Sequence, residues 1–200
     1  KYKNSFIETK INTNDVNQLN AIQRSDFELI ECELNFKKSN YFSQNQFKSE
    51  VKIRLAKKKD EDHVREIASK SFVKSRFYKD QNFEKKTASK IKEEWAGNFF
   101  RGERGDYLIV AEKNNSVIGF LLILIKNDNL IIDLIAVKEE SRGLGIAKSM
   151  IAFVEENHMK DLRSILVGTQ LSNLSAINLY NSLDFRLISS HYAFHLHTNK

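Results

Sequence analysis

Six residues, Arg142-Gly143-Leu144-Gly145-Ile146-Ala147, carry the first chemical signal in the chain. They follow an apolar, β-branched run from Leu130 to Val137, which reads as a buried strand. They lead into Ala147, Met150, Ile151 and Val154 at i, i+3, i+4 and i+7, one stripe of an amphipathic helix. Where a strand hands over to a helix, main-chain N–H groups are free and the helix dipole favours an anion. Glycine lets a phosphate approach main chain that a Cβ would screen. The stretch therefore reads as a diphosphate cradle, and an ordinary tight turn is the competing reading. A dinucleotide fingerprint would need a third glycine where Lys148 stands, and a P-loop would need a longer spacing closed by Lys-Ser or Lys-Thr. An Arg/Gln-x-x-Gly-x-Gly/Ala pattern fits at every position.

Two side chains are placed to move protons. Ala176, Leu179, Tyr180 and Leu183 share a helical stripe, so Tyr180 faces inward, as a core tyrosine or as an acid. A phenol of pKa ~10 is protonated at neutral pH and can donate without being tuned. Asp133 is the one charge inside the Leu130–Val137 run, and a buried charge is costly unless used or paired. Alternation sets it on the face of Ile131, Ile135 and Val137. It reads equally as a proton acceptor, a group binding a substrate hydroxyl, or a carboxylate satisfied by backbone or an arginine. His195 and His197 share a strand face, but no third ligand is evident and no metal is expected. His63 and His158 read as helix-end residues.

The elements that must position these groups follow from periodicity and turn chemistry. Residues 1–50 are polar, with a helix near Val16–Arg24, a strand from Phe27 to Phe36 and a linker over 37–49. The Asn20-Ala21-Ile22 and Asp26-Phe27 stretches echo Ala176-Ile177-Asn178 and Asp184-Phe185, as a degenerate half-copy of the C-terminal end would. The alternation at Val51–Leu55 predicts a strand. Asp60 can cap a helix burying Val64, Ile67, Ala68 and Phe72. A second helix is predicted over Phe83–Asn98 with Ala88, Ile91 and Trp95 inward. Strands follow at 107–112, 117–125 and 130–137, joined by Asn/Asp turns. After the 143–158 helix come a strand at 164–167, a helix capped by Ser172 or Asn173, and a last strand over 185–197. Its alternation changes phase near Ser189-Ser190, which suggests a bulge.

With this order and the Arg142–Ala147 pattern, residues 51–197 resemble the GNAT superfamily of acetyl-CoA-dependent N-acetyltransferases. Asn173-Leu174-Ser175-Ala176-Ile177-Asn178-Leu179-Tyr180 resembles that family's Asn-x-x-Ala-x-x-x-Tyr segment. The resemblance implies an α/β (α+β) fold, a mixed and mostly antiparallel sheet flanked by helices, with the cofactor in a gap between two splayed strands. It implies that Arg142, Gly143, Leu144, Gly145, Ile146, Ala147 and Lys148 hold the diphosphate of acetyl-CoA (coenzyme A). It implies that main-chain groups of Ile135, Ala136 and Val137, together with Asn173 and Ala176, hold its arm. Tyr180 would then be the general acid. The chain divides accordingly into a small N-terminal subdomain with linker, 1–50, and an acetyltransferase domain, 51–200.

Ser75-Arg76-Phe77-Tyr78-Lys79-Asp80 with Trp95, and Val167-Gly168-Thr169-Gln170, narrow the resemblance to dTDP-fucosamine acetyltransferase and related nucleotide-sugar N-acetyltransferases. That implies acetyl transfer to a nucleotide-linked amino-deoxysugar, with Ser75, Arg76, Phe77, Asp80, Trp95, Asp133 and Gln170 on the acceptor side. A protein N-terminus, lysine or small amine is the alternative acceptor, and a non-catalytic coenzyme A-binding module the alternative role. The family usually has Gly-Phe where this chain has Asp184-Phe185, and Asp tolerates the left-handed conformation of a helix stop.

Composition agrees with a phosphorylated small ligand. The 200 residues carry 32 Lys+Arg against 26 Asp+Glu, a net charge of +6. No basic block with interleaved aromatics points to nucleic acid, and no apolar run is of membrane-spanning length. One cysteine, Cys32, fits a reducing compartment, so a cytoplasmic location is expected, with a homodimer left open as the assembly.

Overall fold

The computed structural model describes residues 5–39, 51–158 and 162–198. The chain runs β1 (Phe6–Asn12), α1 (Val16–Ile22), β2 (Glu28–Ser39), β3 (Lys52–Leu55), α2 (Glu61–Ser71), α3 (Arg76–Lys79), α4 (Lys85–Gly97), β4 (Tyr107–Lys113), β5 (Ser116–Lys126), β6 (Asn129–Val137), α5 (Ile146–His158), β7 (Ser164–Gln170), α6 (Leu174–Asn181) and β8 (Arg186–His197). The strands form one sheet in the order β1-β8-β2-β7-β6-β5-β4-β3. Every pairing is antiparallel except β6 with β7.

Both faces of the central strands are covered. On one face α2 and α4 bring Val64, Ile67, Ala68 and Ala96 against Leu108, Val110, Phe120 and Leu122. On the other, α5 and α6 bring Ile146, Met150, Ile151, Val154 and Tyr180 against Ile109, Leu121, Ile123 and Val167. The α4 stripe differs from the sequence expectation. Ala88, Lys92 and Ala96 are buried, and Ile91 and Trp95 only half so. The turns at Asn114-Asn115 and Asn127-Asp128 adopt positive φ, as does Asp184 where α6 stops.

The N-terminal segment is hydrogen-bonded into the sheet. β8 lies between β1 and β2, and β2 also pairs with β7. The sequence reading had no strand at Phe6–Asn12. Its single buried residue, Ile11, explains why: an edge strand that pairs with β8 alone shows no alternation. The linker and the division at residue 50 fall mostly on 40–50, outside the described residues. The change of phase in the last strand is a bulge that leaves Ile188 opposite no residue of β2, between Phe36↔Leu187 and Asn35↔Ser189.

One irregularity shapes the site. The register of β5 on β6 shifts between Leu122↔Leu134 and Ile123↔Ile132, so Asp133 is an extra, bulged residue. The bulge reverses the faces beyond it. Leu130 and Ile132 pack under α5, whereas Leu134 and Ala136 pack under α2 and α4. Asp133 therefore does not share a face with Ile135 and Val137, as plain alternation had placed it. It turns towards α4, and they pack on the α5 side.

Candidate active site

A cleft opens where β6 and β7 part. Their parallel pairing runs from Asn129↔Ser164 to Ile132↔Val167 and stops there. From Leu134 to Val137, β6 keeps its pairing with β5 and has none with β7. Main-chain groups of Ile135, Ala136 and Val137 thus face a gap. The bulge at Asp133 marks the point of divergence, since an extra residue bends its strand.

The cradle closes one end of this gap. Gly143 and Gly145 have φ of 80° and 75°, and a Cβ built at either would meet nothing within 4 Å. Open space and left-handed backbone together are what an anion site at main-chain nitrogens requires. Arg142 Nε donates to Val137 O at 3.1 Å, which ties the loop to the end of β6. α5 starts at Ile146, and its first main-chain hydrogen bond back to the loop is Ser149 N to Gly145 O, 3.0 Å. The N–H groups of Ile146 and Ala147 therefore lie in the first turn of α5, ahead of that bond. These residues fit a diphosphate, and the exposed Leu144 sits at the rim.

The opposite wall comes from β7 and α6. Asn173 N donates to Gln170 O at 2.8 Å, and Asn173 Nδ2 donates to Thr169 Oγ1 at 3.1 Å. Asn173 stands at the N-cap of α6, but its side chain makes no cap bond; its Oδ1 accepts from Ser175 Oγ. Tyr180 is 2% exposed, with Phe36 at 5.8 Å and Phe185 at 5.6 Å between ring centroids. Burial alone raises its phenol above the ordinary range, so the proton stays on at any physiological pH.

Asp133 is fully engaged. Arg104 grips it with Nε to Oδ2 at 2.6 Å and Nη2 to Oδ1 at 2.7 Å, and Trp95 Nε1 donates to Oδ2 at 2.9 Å. Of the sequence readings of this residue, the arginine-satisfied one matches this geometry. Trp95 is stacked by Lys92 Nζ at 3.8 Å and by the Arg104 guanidinium at 4.4 Å. Burial lowers Lys92 to about 7, and the cation of Arg76 pushes the same way.

The short helix α3 lies over β1, β8 and β2. Ser75 and Phe77 are buried, and Arg76 Nε approaches Glu8 Oε1 at 2.8 Å. Asp80, 1% exposed, accepts through Oδ2 from His195 Nδ1 at 2.6 Å and His197 Nε2 at 2.8 Å. Burial pushes its carboxyl up, but the two imidazole hydrogen bonds outweigh that and hold it at about 2. Asp80 is thus the third group that the sequence reading of His195 and His197 did not find. It lies 115 positions from His195 in the chain, so no spacing could have signalled it. The reading also missed Glu31 and Lys92, whose significance is burial rather than motif.

The acetyltransferase (GNAT) family model matches residues 62–185 of this chain. The chain belongs to that family. Its GNAT segment runs from α2 through the cradle to the start of β8. The spore coat polysaccharide biosynthesis protein SpsD of Bacillus subtilis (strain 168) is 37% identical over 142 residues, 70% of this chain and 49% of that protein. The chain thus spans about half the length of that curated relative. Solved structures share the fold at low identity. A GCN5-related N-acetyltransferase from Sphaerobacter thermophilus aligns with a TM-score of 0.68 and 14% identity, over 97% of this chain and 60% of that one. A PaiA N-acetyltransferase from Thermoplasma acidophilum, solved in complex with coenzyme A, aligns with a TM-score of 0.58 and 15% identity, over 74% of this chain and 98% of that one. The mixed, mostly antiparallel sheet is the GNAT fold, and among the described residues no helix is long and apolar enough to cross a membrane.

Proposed function

We propose that this GNAT chain transfers acetyl from acetyl-CoA to the amino group of a nucleotide-linked amino-deoxysugar, such as a dTDP-4-amino-4,6-dideoxyhexose. The observation that supports the transferase reading is the end of the β6/β7 pairing at Ile132↔Val167 together with the open Gly143/Gly145 loop; Tyr180 would complete the far wall. Residues 142–148 would hold the diphosphate of coenzyme A, and the free edge of Ile135–Val137 with Asn173 and Ala176 its arm. The bound thioester supplies an activated acetyl group. Tyr180, kept protonated by burial, would deliver its proton to the leaving sulfur. Main-chain donors on the β6 edge would stabilise charge on the carbonyl oxygen.

Transfer is direct in this reading. Cys32 is half-buried on β2, and burial, with Glu31 and Glu33 beside it, raises its thiol, which makes it a poor nucleophile. The acceptor would enter beside α3, where Ser75, Arg76, Phe77 and Asp80 gather, with Gln170, Trp95 and Asp133 at the far side. Likeness to a protein named for spore coat polysaccharide biosynthesis favours a sugar over a peptide. Such substrates would place the chain in the cytoplasm. The N-terminal segment is read as a degenerate copy of β7-α6-β8, since β1-α1-β2 repeats its order of elements.

Incubation with acetyl-CoA and separate panels of sugar nucleotides, peptides and polyamines, read by thiol release and product mass, tests this. Acetylation of an amino-deoxysugar nucleotide is expected. Turnover confined to peptides or polyamines would replace the acceptor, and tight coenzyme A binding without turnover on any amine would make the chain a binding module.

A further inference from the structure

Among the described residues, the buried side-chain atoms with no hydrogen-bond partner are both carboxylate oxygens of Glu31, Ser75 Oγ, His195 Nε2 and Arg76 Nε, the last held by its ion pair to Glu8. They are not scattered. Ser75 and Arg76 open α3, and Glu31 and His195 lie on the neighbouring strands β2 and β8 beneath it. Register puts the two strand residues on one face. Glu28 opposes His195 and Glu31 opposes Ala193, with the bulge at Ile30 between them. Native proteins leave few buried polar atoms unpaired, so several in one place indicate a ligand's partners.

Glu31 is the outlier within the group. Its side chain is 0% exposed, yet neither oxygen accepts a hydrogen bond. The nearest cation is Lys79 Nζ, 3.5 Å from Oε2, and that ammonium donates to Ser172 Oγ at 2.8 Å. Ser172 is the second residue after β7, and Leu171 N donates to Cys32 O at 2.8 Å. Glu31 is therefore linked through Lys79 to the loop that follows β7, the strand that borders the gap, and an amine nitrogen of the chain itself already stands between it and that loop. Lys79 is 30% exposed and can swing away. Asp133, the other acidic side chain at the gap, is saturated by Arg104 and Trp95.

We infer that Glu31 receives the ammonium of the acceptor in place of Lys79 and takes its proton. This deepens the transferase reading and rests on it. An ammonium N–H bond breaks, its electron pair stays on nitrogen, and the proton forms an O–H bond with a Glu31 oxygen. The nitrogen is then a nucleophile at the gap. The proton later leaves to water along the path that Lys79 covers. The groups facing Glu31 set when it is ionised. Lys79 and Arg76 on α3 and Lys92 on α4 favour the carboxylate, whereas burial and Glu33 on the same strand favour the acid, and burial prevails. A carboxyl raised in this way is suited to accepting a proton near neutrality.

Glu31→Gln keeps the shape and removes the basicity; Glu31→Asp keeps the basicity at shorter reach. We expect Gln to lower kcat/KM by about 10² to 10⁴-fold and to abolish the rise of activity with pH, with Asp recovering part of both. Coenzyme A affinity, measured by calorimetry, should stay within about twofold of wild type for both. A second readout needs no turnover. In protein labelled with ¹³C at glutamate carboxyls, the signal missing from Glu31→Gln identifies Glu31. It should shift when a dTDP-4-amino-4,6-dideoxyhexose, ethanolamine or a lysine peptide is added without acetyl-CoA. A Glu31 signal silent to all three amines overturns the inference. So does a Gln variant that keeps the rise with pH, or one that loses coenzyme A binding in proportion to activity. A signal that responds to the peptide or ethanolamine but not to the sugar nucleotide keeps Glu31 and overturns the sugar acceptor instead.

Discussion

Gly145 and Gly102 form a matched pair that isolates the cradle. Their φ values are 75° and 74°, and a Cβ added at either would meet nothing within 4 Å. Alanine at either site therefore brings backbone strain without a clash, about 1–2 kcal/mol for a left-handed L-residue. For a chain of this size that lowers Tm by roughly 2–4 °C per kcal/mol, so both variants should lose about 2–8 °C. Only one of them should lose the cofactor. Gly102 ends the turn after α4, whereas Gly145 presents the first turn of α5 to the gap. Relaxing alanine at position 145 out of the left-handed region turns the amides that face the diphosphate. A helix-terminus anion interaction is worth up to about 2 kcal/mol in a partly buried site. At about 1.4 kcal/mol per factor of ten, Gly145→Ala should weaken coenzyme A by about tenfold or more. Differential scanning calorimetry gives the Tm values, and titration calorimetry with coenzyme A gives Kd. If both variants bind coenzyme A as wild type does, the diphosphate is not held at Gly145 and the site has been misplaced.

Tyr180→Phe should fold normally, because Phe packs between Phe36 and Phe185, and should lower kcat by about 10² to 10⁴-fold; circular dichroism and steady-state kinetics check the two halves. Lys92→Met should stabilise the protein below neutrality, because burial has lowered the ammonium to about 7. A lysine whose folded pKa is depressed destabilises most below that value, and the penalty fades as pH rises from about 7 towards the unfolded value of ~10.4. Denaturation at pH 6 and pH 10 should show the gain at the first and little at the second. Asp80 works in the opposite sense, being held at about 2. Its contribution is full above the unfolded value of ~3.9 and lost as pH falls through about 2, so Asp80→Asn should flatten acid unfolding between those limits. Arg104→Gln leaves Asp133 with Trp95 alone and should destabilise by roughly 1–3 kcal/mol in urea unfolding, the partial exposure of Arg104 keeping the figure modest.

The strand, glycine turn and helix behind the proposed cradle were legible in the sequence because they are contiguous, and contiguity fixes geometry. The same holds for the turns at Asn114-Asn115 and for the order of elements after residue 51, except the short helix α3, which the periodicity does not show. What stayed hidden depends on chain segments meeting from afar. Plain alternation put Asp133 beside Ile135, and only a bulge reverses it. No motif singles out Lys92, yet it is buried over Trp95. Glu31 lay in a stretch set apart as an appendage, and its place level with the end of β7 follows from β2 being inserted between β7 and β8. Pattern reports which face a residue occupies along one element; it does not report which element packs on that face.

A structure with coenzyme A bound tests the central claim most directly. The account predicts diphosphate oxygens within hydrogen-bond distance of main-chain nitrogens between Gly143 and Lys148, the arm running along Ile135–Val137, and the Tyr180 hydroxyl beside the sulfur. Phosphates bound elsewhere, or a phenol turned away from the sulfur, would contradict it.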